Sequence, residues 1–157
     1  MRTMLVVILL AVPFSAMAQP ASDPVDFRLD AYQWEHRLLF VFAPSDADDA
    51  LAAQEQHFDG HDAGFQDRDL LLVTITAPEA GTLRAGPGDA PQPLAGAAIE
   101  RLYDQFDVPP DSFRVILVGK DGTEKQRNAQ PVTARSVFDT IDAMPMRQRE
   151  MRESSDD

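Results

Sequence analysis

Two apolar runs of strand length constrain the fold of this chain more than any other feature. Residues 38–43 are all apolar, and residues 70–75 contain a single threonine. A strand buried on both faces of a sheet has this pattern, whereas a strand with one face in water alternates polar and apolar residues. The segment between the runs is long enough for a crossover helix, so the two strands are predicted to pair in parallel.

The first run ends at Pro44, and a helix is predicted to begin immediately after it. Ser45 or Asp46 is expected to cap this helix, with Asp48 and Asp49 in its first turn. In α/β domains, chemistry concentrates where a strand leads into a helix, because free backbone N–H groups and the positive end of the helix dipole meet there. This turn is therefore the first place to look for a site.

The remaining elements complete an α/β pattern. Residues 25–29 suggest a short edge strand, and the Pro- and Gly-rich residues 77–93 suggest a long surface loop. A helix is predicted over 94–106, a strand over 113–118, a tight turn over 119–122 and a returning strand over 123–127. A helix capped by Thr133 follows, and Pro145 begins a short last helix. The order predicts a thioredoxin-like fold: a central mixed sheet with a parallel pair and a C-terminal antiparallel hairpin, and helices on both faces.

The amino terminus has the form of an export signal. Arg2 is followed by an apolar stretch over residues 4–14, and Ala16 and Ala18 fit the small-residue rule for cleavage before Gln19. The predicted organisation is a signal peptide at 1–18, a disordered leader at 19–25, a domain at 26–144 and a C-terminal short helix and tail at 145–157. Export would place the protein in the periplasm or outside the cell, without a transmembrane segment once the signal is removed.

Composition excludes two classes of function. The formal net charge is −12, and a strongly acidic surface repels phosphate backbones, so nucleic acid is excluded as a partner. The chain has no cysteine, which removes thiol–disulfide exchange and thiol peroxidase chemistry from its own residues. No cofactor is predicted.

Five short stretches resemble an uncharacterised bacterial family catalogued as domain of unknown function 4174. They are Tyr32-x-Trp34-x-x-Arg37-Leu38-Leu39, Phe42-Ala43-Pro44, Arg68-Asp69-Leu70, Gly119-Lys120-Asp121-Gly122, and the stretch from Ile141 through Met144-Pro145-Met146 to Arg147. The family is similar to thioredoxins and peroxiredoxins, and to a domain of vertebrate extracellular proteins with sushi repeats. The resemblance implies fold and export but no reaction, and Asp46 to Asp49 stand where thioredoxins carry a Cys-x-x-Cys pair.

These observations favour a non-catalytic module that binds a protein or cell-envelope partner. The candidate binding residues are Arg37, Asp46, Asp49, Arg68, Asp69, Lys120, Asp121, Met144, Pro145, Met146 and Arg147. The arginines at 147, 149 and 152 are expected to fold back onto the domain's own carboxylates, such as those near Asp46, or to hold the partner. Tyr32 and Trp34 are interpreted as apolar packing at the sheet edge.

Two alternatives stay open. The first is a cysteine-independent enzyme that uses carboxylates around Asp46, Asp49 and Asp69, one of them with a raised pKa. The second is a Cu(I) binder that uses the soft thioether groups of residues 144, 146 and 151. No metal ligand is assigned, because Gly60 interrupts the helical spacing of the histidines at 57 and 61.

Overall fold

A computed structural model describes residues 23–76 and 80–155. The predicted signal peptide and its cleavage site, with most of the predicted leader, lie outside the described residues. The central element is a six-stranded sheet with the strand order β4-β3-β2-β1-β5-β6. The strands are β1 Arg37–Ala43, β2 Leu70–Thr76, β3 Ala80–Arg84, β4 Gln92–Pro93, β5 Arg114–Val118 and β6 Glu124–Asn128.

The two apolar runs form the centre of this sheet, as the sequence predicts. Strands β1 and β2 pair in parallel from Arg37 opposite Leu70 to Ala43 opposite Thr76. All other pairings are antiparallel, including β1 with β5 and the hairpin of β5 with β6. Every residue of β1 is buried, because both faces of this strand are covered. The predicted mixed sheet with a C-terminal hairpin is confirmed.

Helices cover both faces of the sheet. They are α1 Asp49–Phe58, α2 Asp62–Asp67, α3 Gly96–Phe106, α4 Ala134–Asp142 and α5 Pro145–Ser155. Helix α3 packs on one face against a core built around Phe40, Phe42 and Ile75. Helices α1, α2 and α4 contribute Leu51, Phe65 and Val137, among others, to a second core on the opposite face. Within the described residues, none of these helices is both long and apolar enough to cross a membrane.

Three local predictions are wrong. Residues 25–29 form only one bridge, between Val25 and Leu94, and the chain then turns into a short 3₁₀ helix at Leu29–Tyr32. The expected loop at 77–93 contains strands β3 and β4, which extend the sheet beyond β2. The cap of α1 is Asp48 rather than Ser45 or Asp46, so a short turn separates β1 from the helix.

Candidate functional site

The turn between β1 and α1 provides its own helix cap, Asp48. The Asp48 carboxylate accepts hydrogen bonds from the backbone N–H groups of Ala50, at 3.0 Å, and Leu51, at 3.1 Å. Asp46 and Asp49 flank it and are exposed. The side chain that caps the helix already takes up two of the donors which could otherwise stabilise a bound anion. The place where thioredoxins carry their cysteines is thus occupied by an acidic helix cap.

The opposite end of the parallel pair, where β1 and β2 begin, holds a connected set of charged side chains. Helix α5 crosses this end, next to the loop before β2 and the turn between β5 and β6. Salt bridges join four cations and four carboxylates, which we call the ion-pair cluster: Arg37, Arg68, Lys120 and Arg147 with Asp67, Asp69, Asp142 and Glu150.

Arg37 is the most deeply buried member of the cluster. Its residue is 1 % exposed, and its guanidinium donates to both carboxylate oxygens of Glu150, at 3.2 and 3.0 Å, and to the Arg68 carbonyl oxygen, at 2.8 Å. Lys120 reaches the same Glu150 carboxylate at 2.9 Å and Asp69 at 2.8 Å. Glu150 therefore ties α5 to the first strand and to the β5–β6 turn.

Arg147 makes the second attachment of α5. It is buried, and it pairs with the carboxylates of Asp67 and, at 3.3 Å, Asp142, and donates to the Asp67 carbonyl oxygen at 2.7 Å. Arg68 donates two hydrogen bonds to the Asp142 carboxylate, at 3.0 and 2.6 Å. Its Cζ atom lies 4.4 Å from the centre of the Phe138 ring. Arginine suits such a junction, because its planar fork can serve several acceptors at once.

The electrostatics of the cluster favour its charged form. Burial pushes the pKa of Glu150 upward, but the hydrogen bonds and charges of Lys120 and Arg37 outweigh it and leave that pKa below its ordinary value. Asp142 behaves in the same way: burial raises its pKa, and the hydrogen bonds and charges of Arg68 and Arg147 lower it further than burial raises it. Both carboxylates are therefore ionised acceptors at neutral pH rather than proton donors.

Nine of the eleven predicted binding residues lie at this end of the sheet, and Asp46 and Asp49 do not. The expectation that Arg147 folds back onto the domain's own carboxylates is met, but its partners are Asp67 and Asp142 rather than the aspartates near Asp46. Asp69 precedes β2 and Asp46 follows β1, so the seven residues of β1 separate them by about 20 Å.

The structure does not bring together the residues that the two alternative functions require. The exposed carboxylates of Asp46 and Asp49 cannot act together with Asp69, so the predicted carboxylate site does not form. Met144 and Met146 line one cleft, whereas Met151 lines a different groove, so the predicted trio is divided between two surfaces. In residues 23–76 and 80–155, no group of three or more His, Cys, Asp or Glu side chains is placed to hold a metal ion.

A small cleft opens beside the ion-pair cluster, and we call it the α5 cleft. Its volume is about 280 Å³, and Met144, Pro145 and Met146 form its apolar part. Lys120, Lys125 and Arg149 bring positive charge to it. Lys120 is occupied by Glu150 and Asp69, and Lys125 by Asp121, while exposed Arg149 makes no salt bridge to any described residue. The cleft is thus a cationic spot on an acidic protein.

Trp34 is joined through its backbone to Lys120, which lines this cleft, and its side chain contradicts the sequence-based interpretation. Instead of packing at the sheet edge it is 62 % exposed, which makes it the one exposed large apolar residue among those described. Its backbone φ is +72°, a left-handed conformation that costs a bulky residue about 1–2 kcal/mol. The turn is held by a hydrogen bond from its N–H to the carbonyl oxygen of Lys120, at 2.6 Å, and by one from Gln33 Nε2 to the Asp121 carbonyl oxygen, at 2.9 Å.

Sequence reasoning missed the carboxylates that complete the cluster. Glu150 and Asp67 belong to no motif, Asp142 lies within the stretch from Ile141 to Arg147 but was not chosen as a site residue, and the partners of all three include residues from other elements. The spacing of Arg147 and Glu150 on one helix was the only local signal, and it does not indicate which strand the pair will meet. Nothing in the sequence indicates that Trp34 is exposed, because an aromatic residue beside an apolar run is normally expected to pack against the core.

Comparison with known proteins agrees with the sequence resemblance. The profile of the family described as "Domain of unknown function (DUF4174)" matches residues 28–150. The chain is 26 % identical over 126 residues to sushi repeat-containing protein SRPX2 of Xenopus laevis, covering 78 % of this chain and 26 % of that protein. It is 25 % identical over 133 residues to coiled-coil domain-containing protein 80 of Danio rerio, covering 78 % of this chain and 15 % of that protein. The matched region is thus about a quarter or less of each relative's length.

Proposed function

The chain belongs to the DUF4174 family, and we propose that it is an exported, non-catalytic binding module that holds a protein partner at the α5 cleft. The observation that carries this proposal is the exposed, strained Trp34, whose backbone N–H is bonded to the carbonyl oxygen of the cleft-lining Lys120. A protein that keeps a large aromatic side chain in water, in a backbone conformation which disfavours it, gains nothing in folding stability from doing so. Strain of this kind concentrates at functional sites, and tryptophan is enriched among the residues that dominate binding energy.

The chemistry of the surface indicates the kind of partner. Met144, Pro145 and Met146 offer an adaptable apolar surface, and Arg149 offers a guanidinium without a salt bridge to the described residues. A protein segment with an apolar side chain followed by carboxylates fits both features. The net negative charge of the whole protein opposes this approach only weakly, because ions at physiological strength screen charges beyond about 8 Å.

The ion-pair cluster supplies the rigidity that such a site needs. Its members lie on β1, α4 and α5, at the end of α2 and in the β5–β6 turn, and are joined to one another, so the cleft is formed before a partner arrives. A preformed site loses less conformational entropy on binding than a flexible one. In this proposal Arg37, Arg68, Asp69 and Arg147 hold the site in place, while Trp34, Arg149 and the Met-Pro-Met segment contact the partner.

The export part of the proposal rests on the apolar stretch and the small residues that precede Gln19. Mass spectrometry of the protein recovered from the periplasm or the medium tests it, with a mature chain beginning at Gln19 as the expected result. A full-length chain confined to the cytoplasm would contradict it. A disulfide-reduction assay tests the non-catalytic part, and turnover above a boiled control would contradict that claim.

Binding can be tested with a displayed peptide library panned against the full chain. Selected peptides are expected to carry an apolar residue next to acidic ones. Trp34 is the only tryptophan in the chain, so its emission reports directly on its surroundings and should shift to shorter wavelength when a selected peptide covers it. Arg149→Ala should weaken binding by about 1–2 kcal/mol, whereas Arg152→Ala, an exposed arginine on the same helix but outside the cleft, should not. Equal losses in both variants, or unchanged emission on binding, would refute the assignment of the site.

A further inference from the structure

A second and larger cleft lies between helix α1 and the β2–β3 pair. Its volume is about 490 Å³, within the range of small-molecule sites. Val41, Leu51, Phe58 and Leu72 form its floor, and each is no more than 6 % exposed. None of the predicted binding residues lines this cleft.

Arg84 brings an incompletely bonded cation to this floor. It ends β3, where it pairs with Leu72 and therefore shares that residue's face of the sheet. Its Nε atom is buried without a hydrogen-bond partner, and its guanidinium has one recorded hydrogen bond, to the Pro87 carbonyl oxygen at 3.2 Å. No described carboxylate forms a salt bridge with it. An arginine has five N–H donors, and a buried donor left unpaired is unfavourable, so the side chain is suited to an added anionic acceptor.

Two carboxylates line the same cleft without neutralising Arg84. Glu55 and Asp59 are four residues apart on α1, both are exposed, and neither makes a salt bridge with a described residue. The cleft thus presents a cation and a pair of anions that are separated from each other and joined by an apolar floor. A simple apolar acid would meet repulsion from the carboxylates, and a simple amine would meet it from Arg84.

The wall of the cleft is held in place before any ligand binds. Pro87 belongs to the connection between β3 and β4, and the next residue, Gly88, donates its backbone N–H to Asp62 Oδ1 at 2.7 Å. A Cβ added at Gly86 or Gly88 would come within 2.9 or 3.1 Å of the same oxygen. Glycine at these positions therefore lets the connection approach α2 closely and remain against it.

We propose that this cleft binds a short peptide with free termini and apolar side chains, such as a dipeptide. Its carboxylate pairs with Arg84, its ammonium group lies between Glu55 and Asp59, and its side chains cover the floor. In a dipeptide a peptide group separates the two charged termini and apolar side chains branch from either side of it, which fits a cleft whose cation and carboxylates form no salt bridge with each other and share an apolar floor. A free amino acid carries both charges on one carbon and matches it less well.

The test is a titration of the full chain, labelled with ¹⁵N, with Ala-Phe, with N-acetyl-Ala-Phe and with Ala-Phe amide. The free dipeptide should shift amide signals of α1, β2 and β3 saturably, and each capped form should bind at least about tenfold more weakly. Arg84→Gln should weaken the binding of the free dipeptide and remove the preference of the protein for Ala-Phe over Ala-Phe amide. The double variant Glu55→Gln, Asp59→Asn should remove its preference for Ala-Phe over N-acetyl-Ala-Phe. Arg114→Gln, a strand arginine outside the cleft, is the matched control.

The outcomes decide the proposal even if Arg84→Gln fails to fold, because the three peptides are compared on the wild-type protein. Equal binding of all three, or shifts confined to residues outside the cleft, would overturn it. Caproate, an apolar acid, and amylamine, an apolar amine, each carry a single charge. If either binds saturably and as tightly as Ala-Phe, the cleft takes a singly charged ligand and the proposal is overturned.

Discussion

Replacing Glu150 with glutamine tests whether the ion-pair cluster holds the C-terminal helix onto the sheet. The carboxylate faces Arg37, which is 1 % exposed, and Lys120, whose side chain is 10 % exposed, so its loss leaves a buried cation without a counter-charge. Removing one partner of a fully buried pair costs about 3–5 kcal/mol. The Glu150 side chain is 24 % exposed, and the amide oxygen of glutamine can still accept a hydrogen bond, so we expect a loss of about 2 kcal/mol.

The measurement is urea unfolding at neutral pH, with thermal unfolding as a second probe. A loss of about 2 kcal/mol corresponds to a fall in Tm of about 7 °C for a domain of this size. The matched control is Glu153→Gln, which changes the same group one turn further along α5, where it is exposed and forms no salt bridge with a described residue. A loss below about 0.5 kcal/mol in Glu150→Gln, or the same loss in both variants, would refute the reasoning.

The pH dependence gives an independent check on the same residue. Because the folded state lowers the pKa of Glu150, its contribution to stability is present above the ordinary glutamate pKa and is lost as the pH falls through the lowered value. The difference in unfolding free energy between wild type and Glu150→Gln should therefore be full at neutral pH and shrink below about pH 4. A difference that stays constant down to strongly acidic pH would show that the charge of Glu150 is not what stabilises the helix.

Three further predictions concern other parts of the molecule. Asp48→Ala removes the cap of α1 and should cost about 1 kcal/mol in urea unfolding, while Asp46→Ala should change stability by less than about 0.5 kcal/mol. Gln54→Leu leaves the buried N–H and carbonyl groups of Val132 without partners and should cost about 2–4 kcal/mol in the same assay; a smaller loss would mean that water replaces the amide. Trp34→Gly relieves a positive φ and should leave the domain as stable as wild type or up to about 1 kcal/mol more stable, so a clear loss would show that the indole is part of the fold.

The centre of the fold was predictable because its signals are local. Residues 38–43 and 70–75 are apolar throughout, and a helix between them leaves little choice but a parallel pair, which the structure shows. The starts of the last two helices were also predictable from the sequence. The Thr133 side chain accepts a hydrogen bond from the Ser136 N–H, and Pro145 begins α5. These predictions depend on residues close together in the chain.

The parts that failed depend on partners far away in sequence. Strand β3 reads Ala-Gly-Thr-Leu-Arg, in which only threonine favours a strand strongly, and it becomes a strand because β2 offers an unpaired side. Nine of the chosen residues lie at one end of the sheet, but the choice of Asp46 and Asp49 came from the strand-to-helix rule for α/β domains. That rule does not help here, because Asp48 caps the helix and its carboxylate already takes up two of the N–H donors that a ligand would use.

The two borders of the sheet bear on how the domain can be used in longer chains. Strand β4 has two residues and ends in Pro93, whose neighbour Leu94 is bridged by Val25 of the leading segment. On the other border β6 consists of polar and charged residues. Both borders are of the kind that discourages pairing with a neighbouring sheet. A unit with such borders can stand beside other folded units without fusing its sheet with theirs, which suits a family whose matched region fills only a fraction of its vertebrate relatives.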